Sequence, residues 1–397
     1  MLDFVFSLPT RIIFGADKID RLGEEVKEMG RRPLLVTGKS AMRETGILDR
    51  AIDLLKRENV EPVLFDRIEP NPRTQTIDEA GKIARSSGCD LVIGLGGGSA
   101  MDAAKGIAAV AVSKRPVWDH VYSGEGETFI PVRKALPIVC VPTMAATGSE
   151  ANRGGVITNS ETNEKAGMFG DALFPALSIV DPKLTFTCPT EYTIDGGIDI
   201  ISHVIETYFT GTAIAHLQDR LSESVIRTVI HHLPKAVNNP QDLEARSHLS
   251  WCSTVALSGF VNSGRGGSMP LHALEHALSG HHDVSHGRGL ALLLPALMEY
   301  TMPARPEKFA EMGTNIFGLR FTNETVEEAA KLSTDAMKGF LASVGRYIHL
   351  SDLGIGDGKF EQMATDVIKI YGRGRQYLEN PRPIDKAGIL EIYRTCL

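Results

Sequence analysis

Up to about Asp181 the chain alternates short β-branched runs with amphipathic stretches, and from Thr190 onward only the helical period survives. The segment 33–37 reads as a buried strand, and 46–58 carries Ile47, Ala51, Leu54 and Leu55 at helical spacing. A strand at 60–65 and a helix at 74–87 follow. A strand at 90–94 then runs through a glycine-rich turn into a helix from Met101 onward. Further strands are expected at 136–141 and 177–180. Strands separated by helices cannot pair as hairpins, so the expected sheet is mainly parallel and covered on both faces. In the second half, breaks are expected at Pro234, Pro240, 264–267, Pro303 and 354–358. Asp181-Pro182 and Cys188-Pro189 punctuate the change of rhythm. The expected division is an α/β unit over 1–185 and an all-helical unit over 186–397.

A chain of 397 residues with 43% hydrophobic side chains buries enough surface to fold without a disulfide or a structural metal. Any metal site is then expected to be functional and not a staple. The net charge of −7 argues against a nucleic-acid or anionic-membrane partner. Five scattered cysteines with no C-x-x-C spacing read as reduced thiols, which fits a cytoplasmic protein. Residues 1–14 lack the features of a signal peptide. The longest apolar stretch, 289–298, is too short to span a bilayer and reads as a buried helix.

Gly94-Leu-Gly-Gly-Gly-Ser99 leaves a strand and enters a helix. Glycines admit an anion close to the backbone, and the helix N-terminus presents unpaired N–H groups, so the turn suits a pyrophosphate. Ser99 replaces the last glycine of the usual dinucleotide fingerprint, and the turn follows the third strand rather than the first. Asp102 and Lys105, in the next helical turns, read either as nucleotide contacts or as solvated and capping groups.

Asp199-Ile-Ile-Ser-His203 puts a carboxylate and an imidazole on one helical face in an apolar setting, a spacing that suits two ligands to one ion. Five of the twelve histidines, His272, His276, His281, His282 and His286, fall within fifteen residues. His272-Ala-Leu-Glu-His276 also fits the H-x-x-E-H pattern of inverted zinc peptidases, in which His272 and His276 are ligands and Glu275 is the base. That reading leaves the glycine-rich turn, Asp199 and His203 without a role. His281 and His282 are expected on a solvated loop. His120, His216, His231, His232, His248 and His349 have no partner at ligand spacing.

Taken together, Gly96-Gly-Gly-Ser-Ala-Met-Asp-Ala-Ala-Lys105, Pro142-Thr-Met-Ala-Ala-Thr-Gly-Ser-Glu150, Asp199-x-x-x-His203 and His272-x-x-x-His276 with His286 resemble the iron-dependent (group III) alcohol dehydrogenase family. Asn71 and Asp181-Pro182 also stand where that family has them. The resemblance implies an N-terminal nucleotide-binding sheet with flanking helices and an all-helical metal-binding C-terminal domain, a dehydroquinate synthase-like architecture. It implies Asp199, His203, His272 and His286 as metal ligands, with Fe²⁺ usual and Zn²⁺ the alternative. His276 is then a catalytic residue near nicotinamide and substrate. Gly97, Gly98 and Ser99, with Asp102, would hold the pyrophosphate, while Thr143, Thr147, Lys165 and Asn71 would contact the nucleotide. The implied substrate is a primary alcohol or aldehyde.

Three departures from the family stand out. Met144-Ala145-Ala146 replaces the usual Thr-Ala-Gly of the nucleotide loop. His281 and His282 are extra imidazoles. Gly38 stands where relatives that prefer NAD carry an aspartate that bonds the ribose 2′-OH and repels a 2′-phosphate. With Lys39, Ser40 and Arg43 following, NADP(H) is expected over NAD(H). A lyase or synthase of the same architecture, with NAD⁺ regenerated, is the other reading. Asn71, Asn152, Phe169, Trp251 and Phe260 are candidate pocket walls, and relatives are often homo-oligomers.

Overall fold

The structure, a computed structural model, describes every residue except Glu125. Its first half holds strands β1 (Arg11–Phe14), β2 (Pro33–Gly38), β3 (Val63–Ile68), β4 (Leu91–Gly96), β5 (Ile138–Pro142), β6 (Gly154–Asn159), β7 (Glu164–Phe169) and β8 (Leu177–Val180). Helices α1 (Leu22–Lys27), α2 (Ala41–Glu44), α3 (Ile47–Arg57), α4 (Thr74–Ser86) and α5 (Gly98–Ser113) connect them. One sheet in the order β1-β8-β5-β4-β2-β3 is parallel throughout, and β6 and β7 form a separate antiparallel hairpin.

The central strands β4, β5 and β8 are buried along their whole length. Their side chains alternate between two cores. Leu34, Val36, Val92 and Cys140 meet Ile77, Ala104 and Ile107 of α4 and α5 on one face. Leu35, Ile93, Val139 and Val141 meet Leu22, Val26, Leu48 and Leu55 of α1 and α3 on the other. The continuous apolar runs of the sequence are therefore strands with both faces covered.

Several boundaries differ from expectation. β3 begins at Val63, because Asn59 turns the chain with φ 56° and the Val60 N–H bonds the Leu55 carbonyl to close α3. α5 begins at Gly98, not Met101. No sequence signal marked β1, which pairs with β8 at the edge of the sheet. Nor did one mark the hairpin β6–β7, where Gly154, Gly155 and Gly167 dilute any apolar alternation.

The second half contains α6 (Thr190–Thr210), α7 (His216–Asn238), α8 (Leu243–Ala256), α9 (Pro270–His282), α10 (His286–Thr301), α11 (Pro306–Phe317), α12 (Val326–Ser343), α13 (Phe360–Tyr371) and α14 (Lys386–Thr395). Pro234 does not break α7 as expected; the helix runs through it, anchored by buried Leu233 and Ala236 on either side. α6 is buried on nearly every face, packed by α7, α8, α9 and α10. A Cβ on Gly196 would lie 2.3 Å from the Ala145 carbonyl oxygen, so only glycine lets the first turns of α6 close on the loop after β5. That contact places Asp199 and His203 near the glycine-rich turn. Among the described residues, no helix is long and apolar enough to cross a membrane.

Candidate active site

Asp199 and His203 lie one turn apart on α6, 2% and 3% exposed, with His203 Nδ1 3.5 Å from Asp199 Oδ1. His272 on α9 and His286 at the start of α10 direct Nε2 toward the same carboxylate oxygen, at 3.9 Å and 3.8 Å. One ligand atom from each of Asp199, His272 and His286 lies within 4.8 Å of the other two. His203 stands beside this trio, its ring stacked on that of His272 with centroids 4.7 Å apart.

The condition of these atoms decides whether a cation fits. Asp199 Oδ1, His203 Nδ1 and His272 Nε2 are buried without a hydrogen-bond partner among the described residues. Each orphaned buried polar atom costs about 1–3 kcal/mol, and three in one spot need a common partner. Burial pushes the Asp199 carboxyl up, against the pull of His286 and His272. A carboxylate among imidazoles is a donor set for a divalent transition metal.

Two carboxylates hold the imidazoles in place: Glu206, for which there was no expectation, and Glu275, expected only as the base of the peptidase reading. Glu206, fully buried, accepts from the Nδ1–H of His272 and from the backbone N–H of Leu271 at 2.5 Å and His272 at 3.3 Å. Glu275 accepts from His286 Nδ1, from Ser279 and from Lys165 Nζ at 3.3 Å. Each bond fixes the tautomer with the Nε2 lone pair facing Asp199. Glu206 was legible in principle, since Asp199, His203 and Glu206 follow at i, i+4 and i+7 on one helical stripe.

Glu275, His276 and His286 also bring ligand atoms within 4.8 Å of one another. Here, however, both Glu275 oxygens are engaged, and although burial alone would raise its carboxyl, His286 and Lys165 hold it well below the usual range. It is an ionised anchor, not the free base that a peptidase reading of H-x-x-E-H requires.

His276 presents a different state. The Tyr371 O–H donates to the Lys165 carbonyl at 3.1 Å, and the same hydroxyl meets His276 Nδ1. The phenol has one proton, so both contacts are satisfied when His276 Nδ1–H donates to the phenol oxygen. Nε2 then carries a lone pair, and it is buried without a partner among the described residues. Burial and the neighbouring Lys165 push the imidazole well below its ordinary value, so the ring is neutral. Tyr371 had no signal in sequence.

At the glycine-rich turn, Gly97 precedes the first turn of α5. A Cβ on Gly98 would lie 2.4 Å from Thr147 Cγ2, so the turn and the loop after β5 close on each other only through glycine. The Ser253 hydroxyl accepts from the N–H groups of Ala146 (2.9 Å) and Gly148 (3.3 Å) in that loop. Asp102 and Lys105 are neither solvated nor caps. Asp102 accepts from Ser149 Oγ at 2.6 Å and from Val156 N at 2.9 Å. Lys105, fully buried, donates to the carbonyls of Ser149, Asn152 and Gly154 and to Asn152 Oδ1, at 2.6–3.0 Å. Together they tie α5 to the segment from Ser149 to Val156.

Ser99 lies in the first turn of α5, and Thr143 N–H bonds the Gly96 carbonyl. Asn71 donates to Asp283 Oδ1 at 3.0 Å, tying the first half of the chain to the turn between α9 and α10. Lys39 and Ser40 are exposed just past Gly38, and Arg43 is paired with Asp66 at 2.9 Å.

Other expectations are corrected. His281 is not on a solvated loop but in the last turn of α9, buried, with Nε2 2.7 Å from Asp366 Oδ2. His282 Nε2 is buried as well. Trp251 packs edge-on against Phe14, and Phe260 packs at a tilt against Phe6, so both hold the N-terminal segment.

A family model described as iron-containing alcohol dehydrogenase matches residues 9–182, and its C-terminal counterpart, Fe-containing alcohol dehydrogenase family, matches 193–397. The chain belongs to the iron-containing alcohol dehydrogenase family. It is 38% identical over 395 residues to NADH-dependent butanol dehydrogenase B of Clostridium acetobutylicum, covering 99% of each chain. It is 32% identical over 357 residues to the NADPH-dependent aldehyde reductase YqhD of Escherichia coli, covering 89% of this chain and 90% of that one. The crystal structure of NADH-dependent butanol dehydrogenase A from Thermotoga maritima superposes with a TM-score of 0.93 at 35% identity, over 100% of this chain and 99% of that one. The α/β sheet and helical second half are thus those of the family, and the protein is an oxidoreductase of alcohols or aldehydes that uses a nicotinamide cofactor.

Proposed function

We propose that this iron-containing alcohol dehydrogenase homologue transfers a hydride between NADP(H) and a primary alcohol or aldehyde at Asp199, His203, His272 and His286. The observation that carries the reading is the meeting of unpartnered ligand atoms from α6 and α9 with His286 of α10. A divalent ion held there, Fe²⁺ or Zn²⁺, supplies Lewis acidity to an alcohol or aldehyde oxygen. His276 accepts the alcohol proton at Nε2 and returns it in the reverse direction. Tyr371 positions that imidazole, and its own phenol, pushed far up by burial, stays neutral. Gly97, Gly98 and Ser99 bind the pyrophosphate at the N-terminus of α5, and Thr143, Thr147 and Lys165 contact the nicotinamide half. We take 1–185 as the nucleotide-binding domain and 186–397 as the metal-binding domain.

Tyr371→Phe removes the acceptor that holds His276 Nδ1–H. It should lower kcat by about tenfold while bound metal stays at the wild-type level. Unchanged kcat would remove Tyr371 from the mechanism, and loss of metal would mean that the ligand set is wrong.

The relatives divide on the cofactor, some named NADH-dependent and YqhD NADPH-dependent. The preference for NADP(H) therefore rests on this chain's own residues at the end of β2. Gly38 leaves the 2′-phosphate unopposed, and Lys39 and Ser40 are free to meet it. A Cβ on Gly38 would meet only the Ile68 carbonyl at 3.6 Å, so a side chain fits there. Wild-type kcat/KM should be higher with NADPH than with NADH, and Gly38→Asp should shift the ratio toward NADH by at least about tenfold. A wild-type preference for NADH sinks the cofactor reading. A panel of short alcohols and aldehydes, run with metal analysis, identifies the substrate class.

The free cysteines fit a cytoplasmic enzyme. A homo-oligomer is part of the same reading, because Leu2, Phe4, Val5 and Phe6 leave an exposed apolar patch that suits a second copy of the chain.

A further inference from the structure

The sequence leaves His232 and His248 without partners, yet the packing of α7 on α8 brings them together with Glu244. One ligand atom from each of His232, Glu244 and His248 lies within 4.8 Å of the other two. Glu244 and His248 are four residues apart on α8 and share one face. The His248 ring stacks on that of His232, with centroids 4.2 Å apart. His232 is 7% exposed, and its Nδ1 is buried without a hydrogen-bond partner among the described residues. His231 packs edge-on at 4.8 Å, but its Nε2 already takes a hydrogen bond from Lys235 Nζ at 2.8 Å. The cluster therefore has three available donors, and none belongs to the centre at Asp199.

We propose that His232, Glu244 and His248 form a second divalent-cation site, suited to a borderline transition-metal ion such as Zn²⁺ and independent of the catalytic centre. Two imidazoles and one carboxylate are a donor combination that zinc takes with one position left open. Hard ions such as Mg²⁺ and Ca²⁺ favour all-oxygen sites and are not matched here. Two of the three donors are preset by one helix, and the third is held by burial. Occupation would link α7 to α8 and stabilise the folded chain by mass action.

The test counts zinc on the whole protein, stripped with a chelator and dialysed against Zn²⁺. Wild type should bind one equivalent more than His248→Ala and one more than Glu244→Gln. Both changes are at exposed positions, and far-ultraviolet circular dichroism checks that the helices remain. Asp199→Ala should keep the equivalent that His248→Ala loses, and its Tm should still rise when Zn²⁺ is added. That rise should vanish in the double variant. Equal zinc content in wild type and His248→Ala, or no zinc-dependent rise in Asp199→Ala, overturns the proposal. Failure of the catalytic-centre reading looks different: Asp199→Ala would then bind as much zinc as wild type.

Discussion

Asp199→Ala should lose the metal of this centre and lower kcat/KM by on the order of a thousandfold or more, because Lewis-acid stabilisation at such a centre is worth several kcal/mol. The fold should survive the change. Asp199 Oδ1 has no hydrogen-bond partner among the described residues, so removing it deletes a buried polar atom whose contacts with His203, His272 and His286 lie beyond hydrogen-bond geometry. The metal-free variant is expected to be at least as stable as metal-free wild type, which separates loss of a ligand from loss of structure. Glu206→Gln supplies the graded comparison. It leaves every ligand atom in place but weakens the acceptor that orients His272, and metal affinity should fall by about 10- to 100-fold. Metal analysis and thermal unfolding of the two variants decide the matter. Full metal content in Asp199→Ala would end the ligand assignment, and wild-type affinity in Glu206→Gln would end the positioning role.

Lys105→Met should produce the largest loss of stability. The Lys105 ammonium is fully buried and satisfies three backbone carbonyls and the Asn152 side chain. It also offsets the burial of the Asp102 carboxylate, whose own bonds run to Ser149 and Val156. Removing one partner of a buried charged network costs about 3–5 kcal/mol, because the remaining charge and acceptors stay buried. For a unit of this size that is a fall in Tm on the order of 10 °C. The loop from Thr143 to Asn152 loses its support, so the KM for the nicotinamide cofactor should rise while metal binding at α6, α9 and α10 is retained. A Tm within a degree or two of wild type would show that the ammonium is dispensable.

Much of the fold was legible in the sequence. The continuous apolar runs at 33–37, 90–94 and 136–141 identified strands buried on both faces, because only a sheet covered by helices on each side tolerates them. β1 was missed because four residues, exposed at both ends, carry no periodicity. The hairpin β6–β7 was missed because its glycines exist for close packing, not for alternation: Cα of Asp102 would lie 3.4 Å from a Cβ on Gly155. Pro234 misled because proline removes one helical hydrogen bond, and a helix packed on both sides of the defect outlasts that loss.

For the site, the sequence by itself determined which residue types were available and which pairs shared a helical face. Asp199 with His203 is a property of one helix, and local geometry fixes it. Assignment among His272, His276 and His286 was beyond local geometry, since any two of them suit some zinc pattern. The resemblance implies His272 and His286 as ligands, and what only the tertiary structure adds is the carboxylates that reach those two rings from elsewhere. Glu206 turns His272 toward Asp199, Glu275 turns His286 the same way and is spent in doing so, and Tyr371, nearly a hundred positions along the chain from His276, meets the Nδ1 of that ring instead of a carboxylate. A histidine's role depends on what its second nitrogen bonds, and that partner is set by packing between helices rather than by spacing along one.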